Sequence, residues 1–224
     1  MSDHALNGPR QPKTYVLGLD LGQARDWSAL CVNERRVTPD GQIAHDALHL
    51  ERWQGERYPE IVRAVRDRVN ALRGPSQRPD VSLVIDHTGC GRPVFDMFLA
   101  ADLDCRLTGI TITGGRQTTK TDDGFNVPKR ILASTLQVVL QTKRFKIAEK
   151  LPLTKVLTDE MKNFKVKINL LGNESYGAGD EWREGNHDDL VLSAALAVWH
   201  GENLPGGFEF PSEELAAIFA RMGL

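Results

Sequence analysis

No stretch of this sequence is apolar over the roughly 20 residues that a helix needs to cross a bilayer. Its first residues, MSDHALNGPRQPK, contain no apolar segment of the kind a secretory leader carries. The sequence therefore points to a chain that stays in the cytoplasm, with 1–13 as a flexible N-terminal tail. Cysteine is scarce as well: Cys31, Cys90 and Cys105 are odd in number, and none belongs to a C-x-x-C pair. That pattern argues against a disulfide framework or a zinc knuckle and leaves isolated, mostly buried thiols. Also missing is G-x-x-x-x-G-K-[ST], the backbone cradle of the common nucleoside-triphosphate-binding loop. No internal repeat or low-complexity segment is found.

What is present is a globular composition. With 41% hydrophobic and 26% charged residues over 224 positions, the chain can bury one sizeable core. We place that domain at 14–204, with a second tail over 205–224. The formal charge of −2 conceals an uneven distribution. Residues 116–167 hold twelve Lys and Arg against five Asp and Glu, a net of +7, whereas 173–189 hold one Arg against six acids, a net of −5. Such neighbouring stretches suit a phosphate-rich partner held beside a metal cluster, or else two solvated faces that never meet.

TYVLGLDLG (14–22) is a short apolar run rich in β-formers and ended by glycine, which predicts a buried strand. SALCVNERRV (28–37) and QIAHDALHLERW (42–53), joined by the turn PDG (39–41), extend it into an antiparallel meander. In 58–74, Ile61, Val62, Val65, Val69 and Leu72 recur at helical spacing between Pro59 near the start and Gly74 at the end. A fourth strand (81–91), a helix (93–103) and a fifth strand (105–113) follow. The polar, glycine-rich 114–126 suits a loop or exposed hairpin. Residues 127–145 form an amphipathic helix with Pro128 in its first turn and Leu132, Leu136, Val139 and Leu140 on its buried stripe. Another helix covers 151–164, KVKINLLGNESYGAGDEW (165–182) reads as a β-hairpin or extended loop, and a last helix covers 188–200. Strands that meander and then alternate with helices predict an α/β fold, a mixed central sheet flanked by helices. The first and fourth strands become neighbours in that sheet if the meander fills one half of it.

Asp20 lies near the carboxyl end of the first strand, and Asp86 ends the fourth. Ligands of open α/β sheets gather beyond the carboxyl ends of the strands. Crowded carboxylates repel unless a cation neutralises them, and an all-oxygen set suits Mg²⁺ or Mn²⁺. Each aspartate also has a plainer use, Asp20 as a turn residue in DLGQ and Asp86 as an Asx-turn or capping residue in DHTG. In GNHDDLVLSAALAVWHG (185–201), Asp188 or Asp189 can cap the last helix. Capping needs only one of them. The helix behind them is apolar on nearly every side, which presses it onto the sheet and carries its N-terminus towards the strand ends. His87 and His187, beside these acids, could orient water or phosphate, but read more simply as ordinary partly exposed histidines.

Four segments in order, GLDLGQARDWSA (18–29), VIDHTGCGRPVFD (84–96), NVPKRILASTLQVVLQTKRFKI (126–147) and YGAGDEWREGNHDDLVLSAALA (176–197), carry a resemblance. Together they resemble the nuclease domain of the phage and prophage terminase large subunit, within the ribonuclease H-like superfamily. The resemblance implies a ribonuclease H-like fold with a five-stranded type of central sheet and an added β-hairpin. It implies a DNA endonuclease that cuts concatemeric viral DNA during genome packaging with two divalent cations, Mg²⁺ or Mn²⁺. Asp20, Asp86 and Asp189 become the catalytic, metal-binding acids, with Asp188 as a supporting ligand and Asp26 outside metal contact. Lys129 and Arg130 then contact the backbone of double-stranded DNA, and the TTKTDDG loop with Lys120 reaches over the duplex. Large subunits of this family normally begin with an ATPase domain. Without a phosphate loop, this chain is either an isolated nuclease domain or a separate prophage product. It would depend on an ATPase domain, a small terminase and a portal for translocating DNA.

Rival readings remain open at this level. A junction resolvase or transposase of the same superfamily would share the acids, and a non-catalytic DNA-binding remnant would bind without cutting. LGLDLGQ is also similar to the phosphate-binding hairpin of sugar kinases and actin-like ATPases, but those require a duplicated domain and a second such hairpin, and neither is found in 224 residues.

Overall fold

The computed structural model describes residues 13–23, 26–73, 79–89, 91–171 and 188–205. Residues 1–12 and 206–224, His187, and the expected hairpin segment from 172 to 182 lie outside the described residues. Strands β1 (Thr14–Asp20), β2 (Trp27–Val37) and β3 (Ile43–Gln54) form the expected antiparallel meander. Helix α1 (Tyr58–Ala71) crosses over to β4 (Asp80–Asp86), which lies parallel to β1. Helix α2 (Gly91–Ala100) leads in turn to β5 (Arg106–Thr113), parallel to β4. A hairpin of β6 (Thr119–Lys120) and β7 (Gly124–Pro128) adds to β5. Then come α3 (Lys129–Gln141), β8 (Phe145–Ile147), α4 (Thr154–Leu171) and α5 (Asp189–Asn203). The sheet has eight strands in the order β6-β7-β5-β4-β1-β2-β3-β8. The five expected strands are its middle; the β6–β7 hairpin and β8 extend its two edges.

Period-two alternation sorts the side chains of β1 into two layers. Tyr15, Leu17 and Leu19 enter the layer under α1 and α2, with Ile61, Val65 and Phe98. Val16 enters the opposite layer, with Val84, Leu132 and Leu157, under α3, α4 and α5. Gly18 shares the face of Val16. A Cβ there would stand 1.9 Å from the carbonyl oxygen of Ser193, so α5 lies directly on the backbone of β1. Every residue of α5 from Leu190 to Gly201 is buried. It is a helix with no solvent face, held between the sheet and the α3 and α4 helices, as its all-round apolar sequence requires.

Two expectations need correction. The hairpin or loop expected from residue 165 onward is, over its first seven positions, the end of α4, which runs to Leu171. The stripe Leu157, Met161, Phe164 continues in sequence at Ile168 and Leu171, and that helical period wins over the local alternation of 165–168. Pro128 is the N-cap of α3 rather than part of its first turn. It and Val127 still pair with β5, opposite Thr113 and Ile112. No described helix is long and apolar enough to cross a membrane.

Candidate functional site

Asp20 is the last residue of β1, and its partner in the parallel register is Asp86, the last residue of β4. Neighbouring strands stand about 4.8 Å apart, so two carboxylates leave the sheet side by side. Both share the face of Val16 and Val84, the face covered by α5. Asp86 is held by an Asx-turn: the Thr88 backbone N–H donates to its Oδ1 at 2.8 Å, and the Thr88 hydroxyl donates to the same oxygen. That hydroxyl in turn accepts the N–H of Ile112 at 2.7 Å. The turn occupies one oxygen of Asp86. Asp20 is only 8% exposed, and among the described residues no group donates a hydrogen bond to its carboxyl.

Helix α5 brings the second pair. Asp188 stands at its N-cap but makes no capping hydrogen bond; its Oδ2 instead accepts from Lys129 Nζ at 3.0 Å. Asp189, in the first turn, accepts from Arg52 Nη2 at 2.9 Å. Arg52 reaches up from β3, its guanidinium 4.3 Å above the Trp27 ring. Its Nη1 lies 3.4 Å from Oε1 of Glu160 on α4, within ion-pair range but without hydrogen-bond geometry. The other oxygen of Glu160 accepts the Val191 N–H at 3.1 Å.

The charges in this cluster feel one another. Burial lifts the Asp20 carboxyl well above the usual carboxylate range, and Asp86, Asp189 and Asp188 push it further in the same direction, with Lys129 opposing. Burial also raises Asp86, against the hydrogen bonds from Thr88. Glu160 is pushed up to about 7 by burial, with the Val191 N–H and Arg52 pulling it down and Asp189 adding to the rise. A buried carboxylate without a partner is costly. With Asp20 as that group, Asp86, Asp188 and Asp189 complete an all-oxygen donor set that fits a hard divalent cation. Asp188 and Asp189 face Lys129 and Arg52, and among the described residues no three acid, His or Cys side chains already stand in liganding positions. The arrangement is a cluster of acids whose outer pair is matched by Lys129 and Arg52.

The remaining expected residues take other places. Asp26 is exposed on the β1–β2 connection, beside an open pocket of about 380 Å³ bounded by Trp53 and Tyr58. His87 points to the other side of the sheet, its ring edge-on to Phe95 at 5.5 Å. Lys120 is exposed on the short β6 strand. Arg130 is exposed and donates to the carbonyl oxygen of Arg116 at 2.8 Å. The basic and acidic stretches do meet, at the Lys129–Asp188 pair. Arg52 and Glu160 were not foreseen. Glu160 had a legible signal, since it falls with Leu157, Met161 and Phe164 at spacings of three, four and seven along the buried stripe of a helix. Arg52 had none.

No protein-family model matches the sequence, and no curated protein matches it. Solved structures do. The Mn-soaked nuclease domain of human cytomegalovirus terminase is similar over 88% of this chain and 87% of that chain, at 10% identity and a TM-score of 0.52. The large terminase nuclease from the thermophilic phage G20c is similar over 84% of this chain and 82% of that chain, at 24% identity and a TM-score of 0.46. The large terminase nuclease domain from bacteriophage SPP1 with bound Mn is similar over 84% of this chain and 86% of that chain, at 13% identity and a TM-score of 0.47. The chain has a ribonuclease H-like α/β fold of the terminase-nuclease kind.

Proposed function

We propose that this chain is an endonuclease that hydrolyses phosphodiester bonds of double-stranded DNA with two divalent cations, Mg²⁺ or Mn²⁺. The observation that carries the reading is the register of β1 with β4, which sets Asp20 opposite Asp86 on the face where α5 presents Asp188 and Asp189. Asp20, Asp86 and Asp189 would hold the cations, with Asp188 in support. Bound there, the cations would neutralise the scissile phosphate, activate the attacking water and stabilise the leaving oxygen. The four aspartates hold and orient, and none of them is required as a general base. Lys129 keeps a positive charge at the rim, where a phosphate would arrive. Exposed Lys120 and Arg130 would follow the DNA backbone, which is drawn by charge and read without base specificity. The fold also supports a task in cutting concatemeric viral DNA during packaging, alongside a terminase ATPase domain, a small terminase and a portal.

The test is cleavage of supercoiled plasmid, linear duplex and four-way junctions with Mn²⁺ or Mg²⁺. Asp20→Asn and Asp86→Asn should each slow cutting of plasmid by at least about a thousandfold, roughly 4 kcal/mol of barrier, while DNA affinity holds. Near-normal cutting by both variants would sink the assignment. Cutting confined to the junction would replace packaging with junction resolution.

A further inference from the structure

An N-cap side chain normally accepts the N–H of the second or third helical residue, which the helix itself leaves unpaired. Asp188 occupies the N-cap of α5 and leaves that task undone. The third N–H of the helix, that of Val191, goes instead to Oε2 of Glu160, 31 positions earlier in the chain. Glu160 is 6% exposed, and its Oε1 has no hydrogen-bond partner. That second oxygen faces Arg52, whose other amino group donates to Asp189. One buried glutamate on α4 therefore touches both the head of α5 and the cation that grips its first-turn acid.

We propose that Glu160 is the positioning residue of the acidic site: by capping α5 from outside, it lets Asp188 turn away from the helix amides and face a divalent cation beside Asp189. The inference rests on reading the four aspartates as a cation site. A capping carboxylate turns back onto the amides of its own helix and is lost to any ligand beyond the helix end. With the Val191 N–H already satisfied, Asp188 can point away from α5, as its bond to Lys129 shows. Remove Glu160, and a buried N–H is left without an acceptor. Asp188 is the nearest replacement by position, and in swinging back it leaves the site. Arg52, deprived of Glu160, gives its charge to Asp189 and holds it more firmly. Both changes weaken cation binding, and the substituted cap keeps the helix folded.

The experiment is calorimetric titration of the full chain with Mn²⁺ alone, comparing wild type, Glu160→Leu and Glu160→Gln. The leucine variant should bind Mn²⁺ about tenfold more weakly, in the range found when groups behind a metal's ligands are removed. Glutamine keeps an acceptor for Val191 and should recover most of that loss. Wild-type Mn²⁺ affinity in both variants, with only a lowered Tm, would reduce Glu160 to a structural acid and overturn the proposal. Should Glu160→Leu not fold, Asp188→Ala decides. Because Asp188 is not the working cap, that variant should melt within about 1 °C of wild type; loss of a working cap, worth about 1 kcal/mol, would lower Tm by about 2–4 °C in a chain of this length. A drop of that size would overturn the proposal. If wild type itself binds no Mn²⁺, the cation site falls, while the Asp188→Ala melt still decides which residue caps α5.

Discussion

Three buried titratable groups, Asp20, Glu160 and His200, are each displaced from their ordinary ionisation, and burial leads in all three. What separates them is the company they keep. Asp20 faces three more aspartates, and Glu160 faces Asp189 and Arg52, whereas His200 lies near Arg106 and Asp80, among the charges at the opposite end of α5. His200 thus measures what burial does without a functional cluster. Its pKa is lowered from 6.5 to about 4, so the folded imidazole stays neutral where the unfolded one takes up a proton. Stability should therefore be complete above pH 6.5 and fall as the pH drops towards 4, by roughly 3 kcal/mol from this group. Denaturant unfolding of wild type and His200→Gln at pH 7 and pH 4 checks it: the variant should lose less stability on acidification, and equal losses would contradict the burial argument. The clustered aspartates were legible in sequence because two end apolar strands and two open the apolar run of α5. Their division of labour was not. Whether Asp188 caps or points outward is decided by Glu160, which is distant in sequence and reaches α5 only through the fold.

Helix α5 carries two of the four acids, and its placement is a matter of backbone contact. Gly18 lets it rest on β1, with Ser193 and Ala197 of α5 in the space where a side chain would stand. Its far end is tied as well. Arg35 donates to the carbonyl oxygen of Gly201 at 2.7 Å, and Glu202 accepts from His45 and Arg144, each at 2.8 Å. Clamped at its head by Glu160 and at its tail by this cluster, the helix has little freedom to slide along the sheet. Gly18→Ala should therefore cost about 3 kcal/mol or more, because the atom it meets is backbone and cannot rotate away. Chemical denaturation measures this, and a cost under about 1 kcal/mol would mean that α5 is not seated as described. The five central strands and helices α1, α2, α3 and α5 were readable from period and punctuation, since each buries one face or every face. The length of α4 was not, because KVKI alternates like a strand and only the stripe it continues reveals a helix.

Across the whole molecule, the sheet does the assembling. Meander and crossover place β1 beside β4, and the strand order sets their carboxyl ends under the head of α5. The charge asymmetry of the sequence then acquires a location, as the basic start of α3 meets the acidic start of α5 through Lys129 and Asp188. A net charge near zero hides this, since the opposed stretches cancel in the sum but not in space. In the proposed nuclease, Asp20, Asp86 and the α5 pair share divalent cations once Arg52 and Lys129 let go. The most direct measurement is anomalous diffraction from crystals soaked in Mn²⁺. Mn peaks should appear between the carboxylates of Asp20 and Asp86 and those of Asp189 and Asp188, with the Arg52 and Lys129 contacts to them broken. Saturating Mn²⁺ with no peak at Asp20 and Asp86, and with Asp188 and Asp189 still bound to Lys129 and Arg52, would contradict it.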